Sequence, residues 1–230
     1  MLTQSMINSG TSRRPAIRVT RPVPAASPRT ANNALELMGA PMPFCRNSEI
    51  YGANEPAEYL YKVVSGTVRT YKVLNDGRRQ IGSFYLPGDM FGLEIGEEHT
   101  FSAEAIVDCK VLVIKRSTVI GMAARDNDVA RLLWRMTAGE LQRVQDHIML
   151  LVKTAQERVA GFLLEMAARG DAGDEIELPV SRQDIADYLG LTIETVSRTL
   201  TQLENSAAIS VMTSRRIVLH KRAALNRMNS

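Results

Sequence analysis

Apolar positions recur at helical spacing in two short stretches near the C-terminal end of the chain, and the two stripes are in phase across a tight turn. In the first, Ile185 and Leu189 lie four apart, with Ala186 small enough to let a second helix cross closely. Gly190 ends that helix, because glycine takes a positive φ without a Cβ penalty. Thr192 is placed to cap the next helix by accepting from its free N–H groups. In the second stretch Val196, Leu200 and Leu203 form the inward stripe, while Glu194, Ser197, Arg198 and Thr201 form a polar row on the opposite face. Buried stripes on both helices and a compact hydrogen-bonding row on the second predict a helix-turn-helix whose second helix enters the DNA major groove.

Elsewhere the pattern changes period. Tyr59–Val64, Thr67–Leu74 and Ala103–Ile114 run apolar or alternate, as strands do. Asn75-Asp76-Gly77 is a hairpin turn signal, and Pro87-Gly88-Asp89 marks a second turn. Regularly spaced short strands predict a small β-roll. Residues 117–153 return to helical period, with Met136, Leu141, Val144, Ile148 and Leu151 as an apolar seam close to a heptad. A single packed helix carries such a stripe too. Attached to a helix-turn-helix, the seam predicts a two-fold partner, because two copies set two reading helices one DNA turn apart. Gln156–Ala168 is a further amphipathic helix, closed by Arg169-Gly170. Two short apolar runs, Ala208–Met212 and Ile217–Leu219, flank Thr213-Ser214-Arg215-Arg216 and predict a hairpin wing tipped by arginines.

The expected fold class is therefore α+β, with four parts. Residues 1–30 form a mobile N-terminal arm, 31–116 a β-roll resembling a cyclic-nucleotide-binding domain, 117–153 a long dimerisation helix, and 154–230 a winged helix-turn-helix. Charge adds little: the net +3 is outweighed by five arginines in the first thirty residues, which leaves the rest of the chain net acidic. Local clustering is more informative, since residues 215–230 hold Arg215, Arg216, Lys221, Arg222 and Arg227 and no acid. Two cysteines, Cys45 and Cys109, make no disulfide framework and fit a reducing cytoplasm; whether either senses oxidants is open. There is no run of eighteen apolar residues and no secretory pattern, so no membrane partner is expected.

The stretch Ser181–Glu204 resembles the DNA-binding segment of the CRP/FNR family of bacterial transcription regulators. Glu194-Thr195-Val196-Ser197-Arg198 carries the E-x-x-S-R pattern of the FNR branch, and Ile193 stands where CRP has a further base-reading arginine. The likeness extends over most of the chain after about residue 35, through Ser65-Gly66, Pro87-Gly88-Asp89 and Phe91-Gly92, and is closest to the FixK-type regulators. It implies base reading by Glu194, Ser197 and Arg198, with Ile193 on the same helix end. Arg182, Gln183, Thr192 and Thr201 are expected to contact phosphates, and so are Arg215 and Arg216 at the wing tip, which as a turn of two solvated arginines need no function at all. A homodimer on a palindrome of TTGA-like halves and recruitment of RNA polymerase are implied too, with control of microaerobic respiration or nitrogen-metabolism genes.

The roll departs from the ligand-sensing members. His99 and Thr100 occupy the positions of the arginine–serine pair that holds a cyclic phosphate, among Glu94, Glu97 and Glu98. A neutral imidazole cannot supply that bidentate charged clamp. Two cysteines fall short of the four thiolates of an iron–sulfur cluster. Haem is open chemically, through His99 or Cys109, but no haem motif is present. No cofactor is therefore expected. Two alternatives stand beside this reading: a ligand-gated FNR-like sensor of unknown effector, and a cupin-like metalloenzyme. The latter needs clustered ligands, whereas His99, His147 and His220 fall in three separate segments and no catalytic constellation is present.

Overall fold

The structure is a computed structural model that describes residues 36–170 and 173–229, so the expected N-terminal arm lies outside the described residues. Eight strands build the N-terminal unit: β1 (Ala40–Phe44), β2 (Glu49–Tyr51), β3 (Tyr59–Ser65), β4 (Val68–Val73), β5 (Arg79–Tyr85), β6 (Met90–Phe91), β7 (Ser102–Ala105) and β8 (Cys109–Lys115). They pair antiparallel in two sheets, ordered β1-β8-β3-β6 and β2-β7-β4-β5. Inward residues of both sheets, among them Tyr51, Tyr61, Val63, Val68, Phe91 and Val111, close over one core. Gly66 joins β3 to β4 at φ +86°, and a Cβ there would lie 2.5 Å from the Asp108 carbonyl oxygen, so no other residue fits.

One irregularity decides which way the roll faces. In the β4–β5 pair Thr70 sits opposite Ser83 but Tyr71 sits opposite Ile81, so Gly82 is the extra residue of a bulge. Without it, Ile81 and Phe84 would point to opposite sides. With it, both turn outward, beside Arg69 and Tyr71 on β4 and Arg79 on β5. The outer face of this hairpin is thereby apolar at its centre and cationic at its edge.

The expected single helix over 117–153 is two. Helix α1 (Arg116–Ala123) stops, and α2 (Asn127–Leu151) starts afresh at Asp126, whose carboxylate accepts from the Asp128 and Val129 N–H groups. An N-cap side chain satisfies the free donors of a helix start, so an Asp inside an otherwise periodic run permits a break. Val129 and Leu150 are buried on α2, and Leu132, Leu133 and Met136 pack on a cluster holding Leu60, Met90, Leu112 and Ile114. Met136 thus faces its own roll, which corrects its place in the expected dimer seam. The outward heptad is Trp134, Leu141 and Ile148, with Val144 between; all four are exposed, and Leu151 is half-buried.

Helix α3 (Ala155–Arg169) begins in a capping box formed by Thr154 and Glu157. Then come β9 (Glu175–Glu177), α4 (Arg182–Leu189), α5 (Ile193–Asn205), β10 (Ile209–Val211), β11 (Arg216–Leu219) and α6 (Arg222–Asn229). The wing is a three-stranded sheet ordered β10-β11-β9, since the polar run before the motif supplies a third strand. Helix α6, not expected from the pattern, buries Leu225 completely. One continuous core joins these elements to the roll: Ile81, Phe84 and Ile106 pack with Phe162, Ile185, Tyr188, Leu189, Val196 and Leu203. Among the described residues no helix is long and apolar enough to cross a membrane.

Candidate nucleic-acid interface

The turn between α4 and α5 has the geometry its sequence requires. Gly190 lies at φ 62°, ψ 41°, and the Leu191 N–H donates to the Ala186 carbonyl. Ser181 and Asp184 form a capping box at the start of α4, and Thr192 Oγ1 accepts from the Thr195 N–H at the start of α5. On α5, Val196 and Leu203 are fully buried and Leu200 nearly so. Burying three such side chains contributes about 1.5–3 kcal/mol each, which fixes the rotation of the helix about its axis. The polar row is consequently turned outward: Glu194, Arg198 and Thr201 are exposed and Ser197 is half-buried.

This row is chemically ready. The Glu194 carboxyl is held below the usual range by its own backbone N–H, the Thr192 hydroxyl and the Arg198 charge, so it is an ionised acceptor at neutral pH. Arg198 makes no ion pair within 4 Å among the described residues, and its donors stay available. Guanidinium and carboxylate one turn apart match guanine O6/N7 and cytosine N4 in the major groove. Thr201 Oγ1 donates to the Ser197 carbonyl and offers only lone pairs outward, a poor partner for phosphate. Ile193, at the start of α5, is partly exposed and can make apolar contact only.

The flanking residues differ from expectation in detail. Arg182 is half-buried at the start of α4, and Gln183 is exposed but donates to Asp187 at 2.6 Å. Arg215 stands exposed at the wing tip. Arg216 is exposed as well, but it opens β11 and its guanidinium is ion-paired with Glu175 on the neighbouring strand.

The residues the sequence pattern missed lie behind the motif. Asp184 Oδ2 accepts from the Ser181 N–H and hydroxyl, while Oδ1 accepts from Arg69 at 2.5 Å and Arg79 at 2.8 Å. Arg69 also donates to Glu104 at 2.9 Å, and Arg79 to Asp187 at 2.7 Å. The Tyr71 ring lies 6.0 Å from each guanidinium, within cation–π reach. At the other end of α4, the Tyr188 carbonyl accepts from Gln80 at 3.2 Å and from His147 Nε2 at 2.8 Å, and the Leu189 carbonyl from Arg158 at 2.9 Å. Burial depresses the His147 pKa, so the ring stays neutral with its proton on Nε2.

In the roll, His99 is buried against Tyr51, ring centroids 3.6 Å apart. Thr100 gives both its N–H and its hydroxyl to Glu94 at 3.0 Å. The adjoining cavity, about 90 Å³, is lined by Tyr51, Tyr85, Phe91, Phe101, Glu94 and Glu140 among others. Cys109 is buried, donates to the Thr67 and Val107 carbonyls, and has its thiol pKa raised by burial; Cys45 is exposed. No cluster of three or more metal-binding side chains occurs among the described residues.

Known proteins share this arrangement. Residues 41–126 match the cyclic nucleotide-binding domain family, and residues 157–228 match the Crp-like helix-turn-helix domain family. The nitrogen fixation regulation protein FixK of Azorhizobium caulinodans is 52% identical over 199 residues, covering 84% of this chain and 80% of that protein. The protein of the same name from Rhizobium meliloti is 41% identical over 178 residues, 77% of this chain and 81% of its own length. Among solved structures, FixK2 from Bradyrhizobium japonicum superposes with a TM-score of 0.80 at 52% identity, covering 84% of this chain and 98% of that one.

Proposed function

The chain belongs to the CRP/FNR family of DNA-binding transcription regulators, on its FixK-type branch, and from that membership we propose that it binds, as a homodimer, a palindrome of two TTGA-like halves. It is a regulator and not an enzyme. The observation that carries the proposal is the outward Glu194–Ser197–Arg198 row on a helix whose opposite stripe is buried. In this reading Arg198 and Glu194 read the G·C pair of each half, Ser197 approaches a thymine, and Arg182, Gln183, Thr192 and Arg215 meet backbone phosphates. Dimerisation runs through Leu141, Val144, Ile148 and Leu151, with Trp134 in place of Met136. Four exposed apolar side chains at heptad spacing on a helix otherwise packed on its own roll support that seam.

The proposal extends to an activator that works in the cytoplasm without cyclic nucleotide or iron–sulfur cluster. A cavity of about 90 Å³ is well below the roughly 300–1,000 Å³ of small-molecule sites. Its two carboxylates repel a phosphate, and Thr100 is already committed to Glu94. The relatives' names support nitrogen-fixation genes as the regulon, and recruitment of RNA polymerase goes with the activator role. One observation favours a ligand-gated sensor instead: both ring nitrogens of buried His99 are without a hydrogen-bond partner. The deciding experiment is selection from random DNA with protein purified in air and no added ligand. Enrichment of a TTGA-type palindrome supports the whole proposal. Enrichment only after a cell extract or an added small molecule is supplied removes the effector-free part, and enrichment of no palindrome removes the rest.

A further inference from the structure

We propose that Arg79 and Arg69 of the roll, through Asp184 and Asp187, are the residues that determine the spacing between the two half-sites this protein accepts. This rests on the palindrome reading above and goes beyond it, because these residues touch no base.

The geometry leads there in three steps. First, the covalent route from the seam helix α2 to the reading unit is short: Val152, Lys153 and Thr154 separate α2 from α3, with the Lys153 N–H donating to the Leu150 carbonyl and Thr154 capping α3. So short a link does not by itself set the angle of the reading unit, which is left to its contacts with the roll, beginning with the apolar core around Ile81, Phe84 and Ile106. Second, the structure fixes that angle by non-covalent ties at both ends of α4. The Asp184 side chain is 4% exposed, those of Arg69 and Asp187 are 10% and 12% exposed and that of Arg79 is 26% exposed, so the Arg69–Asp184 pair is withdrawn from water and the Arg79 pairs partly so. At the far end, Gln80 from β5 and His147 from α2 share the Tyr188 carbonyl. The Tyr188 ring stacks on His147 at 3.9 Å and meets Phe84 at 5.1 Å. Third, the roll is tied to the seam helix. Glu140 of α2 accepts from the Tyr85 hydroxyl at 2.9 Å, and Arg143 of α2 pairs with Asp89 at 3.1 Å. Seam, roll and α4 therefore form one braced frame.

In a two-fold dimer that frame sets the separation and relative rotation of the two α5 helices. One added base pair shifts a half-site by about 3.4 Å and rotates it by about 35°. A frame tied by buried ion pairs resists such a shift, whereas a reading unit held by the non-directional apolar contacts of Ile81, Phe84 and Ile106 without those pairs adapts to it more readily. Base preference within each half is unaffected, since it resides in the α5 row. Arg69 and Arg79 are positioning residues and Arg198 a reading residue.

The test compares full-length wild type, Arg79→Met and Arg79→Lys on a set of palindromes with identical halves and spacers varied one base pair at a time. Wild type is expected to lose about 30-fold or more in affinity for one base pair of mis-spacing, the size of a lost base contact or larger, and Arg79→Met less than about fivefold. Arg79→Lys, which keeps the charge, should restore most of the discrimination. Selection within a half-site should give the same TTGA-like preference for all three proteins. If Arg79→Met does not fold, Asp187→Asn, which removes only the outer pair, takes its place in every comparison. A spacing profile identical to wild type overturns the inference, as does loss of base preference within the half-site. Failure of wild type to prefer any palindrome overturns the function proposed above instead, so the two failures are distinct.

Discussion

The two helices of the reading motif make opposite use of their polar groups. On α4, Asp184, Asp187 and the last two carbonyls are engaged by side chains from the roll, from α2 and from α3, and its polar atoms serve to hold it still. On α5 the charged groups of the outward row have almost no protein partners, and Arg198 has no ion pair within 4 Å among the described residues. Helices eight and thirteen residues long, adjacent in sequence, thus divide positioning from recognition. The lesson is that a polar residue's role depends on whether the molecule has already used its hydrogen-bonding capacity.

This contrast can be broken experimentally, and the largest effect is expected on α4. Asp184→Ala takes from buried Arg69 one of its two carboxylate partners, leaving only Glu104, strips Arg79 of its inner partner, and removes the half of the α4 capping box that accepts from the Ser181 N–H and hydroxyl. It should cost about 3–5 kcal/mol of folding stability, measured by urea unfolding; a change below about 1 kcal/mol would show that the buried pairs hold nothing. Next comes the seam. Ile148→Glu places a charge against its symmetry mate, and light scattering should report monomers with specific DNA binding lost; a stable dimer would move the interface elsewhere. On α5 the effect should be confined to binding. Arg198→Ala is expected to cost about 1–3 kcal/mol per half-site and to relax preference at the guanine, while shifting stability by less than about 0.5 kcal/mol. Uniform weakening on all sequences would make Arg198 a phosphate clamp.

The smallest effect comes from acid. Burial lowers the pKa of His99 and of His147 at the end of α4, so both rings are neutral in the folded chain. Their contribution is present above the unfolded histidine value of about 6.5 and is lost as pH falls through that value toward the lower folded ones. Between about pH 7.5 and about pH 5.5 the urea midpoint should fall. His99→Phe, which keeps the stack on Tyr51 but cannot take a proton, should fall less. An equal drop in both proteins assigns the acid sensitivity to other groups.

Much of the motif was legible because its determinants are local. The in-phase stripes, the glycine at a positive-φ position and the capping threonine lie between Ser181 and Glu204, where period and turn chemistry operate. The same holds for the Asn75-Asp76-Gly77 turn, where Gly77 sits at φ +84°. The break at Asp126 was legible in principle, since Asp-Asn before an apolar repeat is a helix start. The seam was misphased at Met136 because a stripe shared between two neighbours contains both of their contacts, and only the packing of α2 on the roll separates Trp134 from it. Strand β9 is three residues with one buried side chain and has no period to detect. The ties on α4 were out of reach for another reason. Arg79 and Asp184 are 105 positions apart, and no local rule joins an arginine on the outside of a strand to an aspartate that already satisfies a capping box.

That separation has a consequence during synthesis. The last strand of the roll ends at Lys115, 69 residues before Asp184, and chains elongate at about 5–20 residues per second, so the complete roll precedes its anionic partners by roughly 3–14 s. For that interval the outer face of the β4–β5 hairpin displays Arg79 without its carboxylate partners and Arg69 with Glu104 alone, beside exposed Ile81 and Phe84, on a nascent domain whose own strands are already complete. The roll can fold early, but its docking face stays unsatisfied until the ribosome has passed α4.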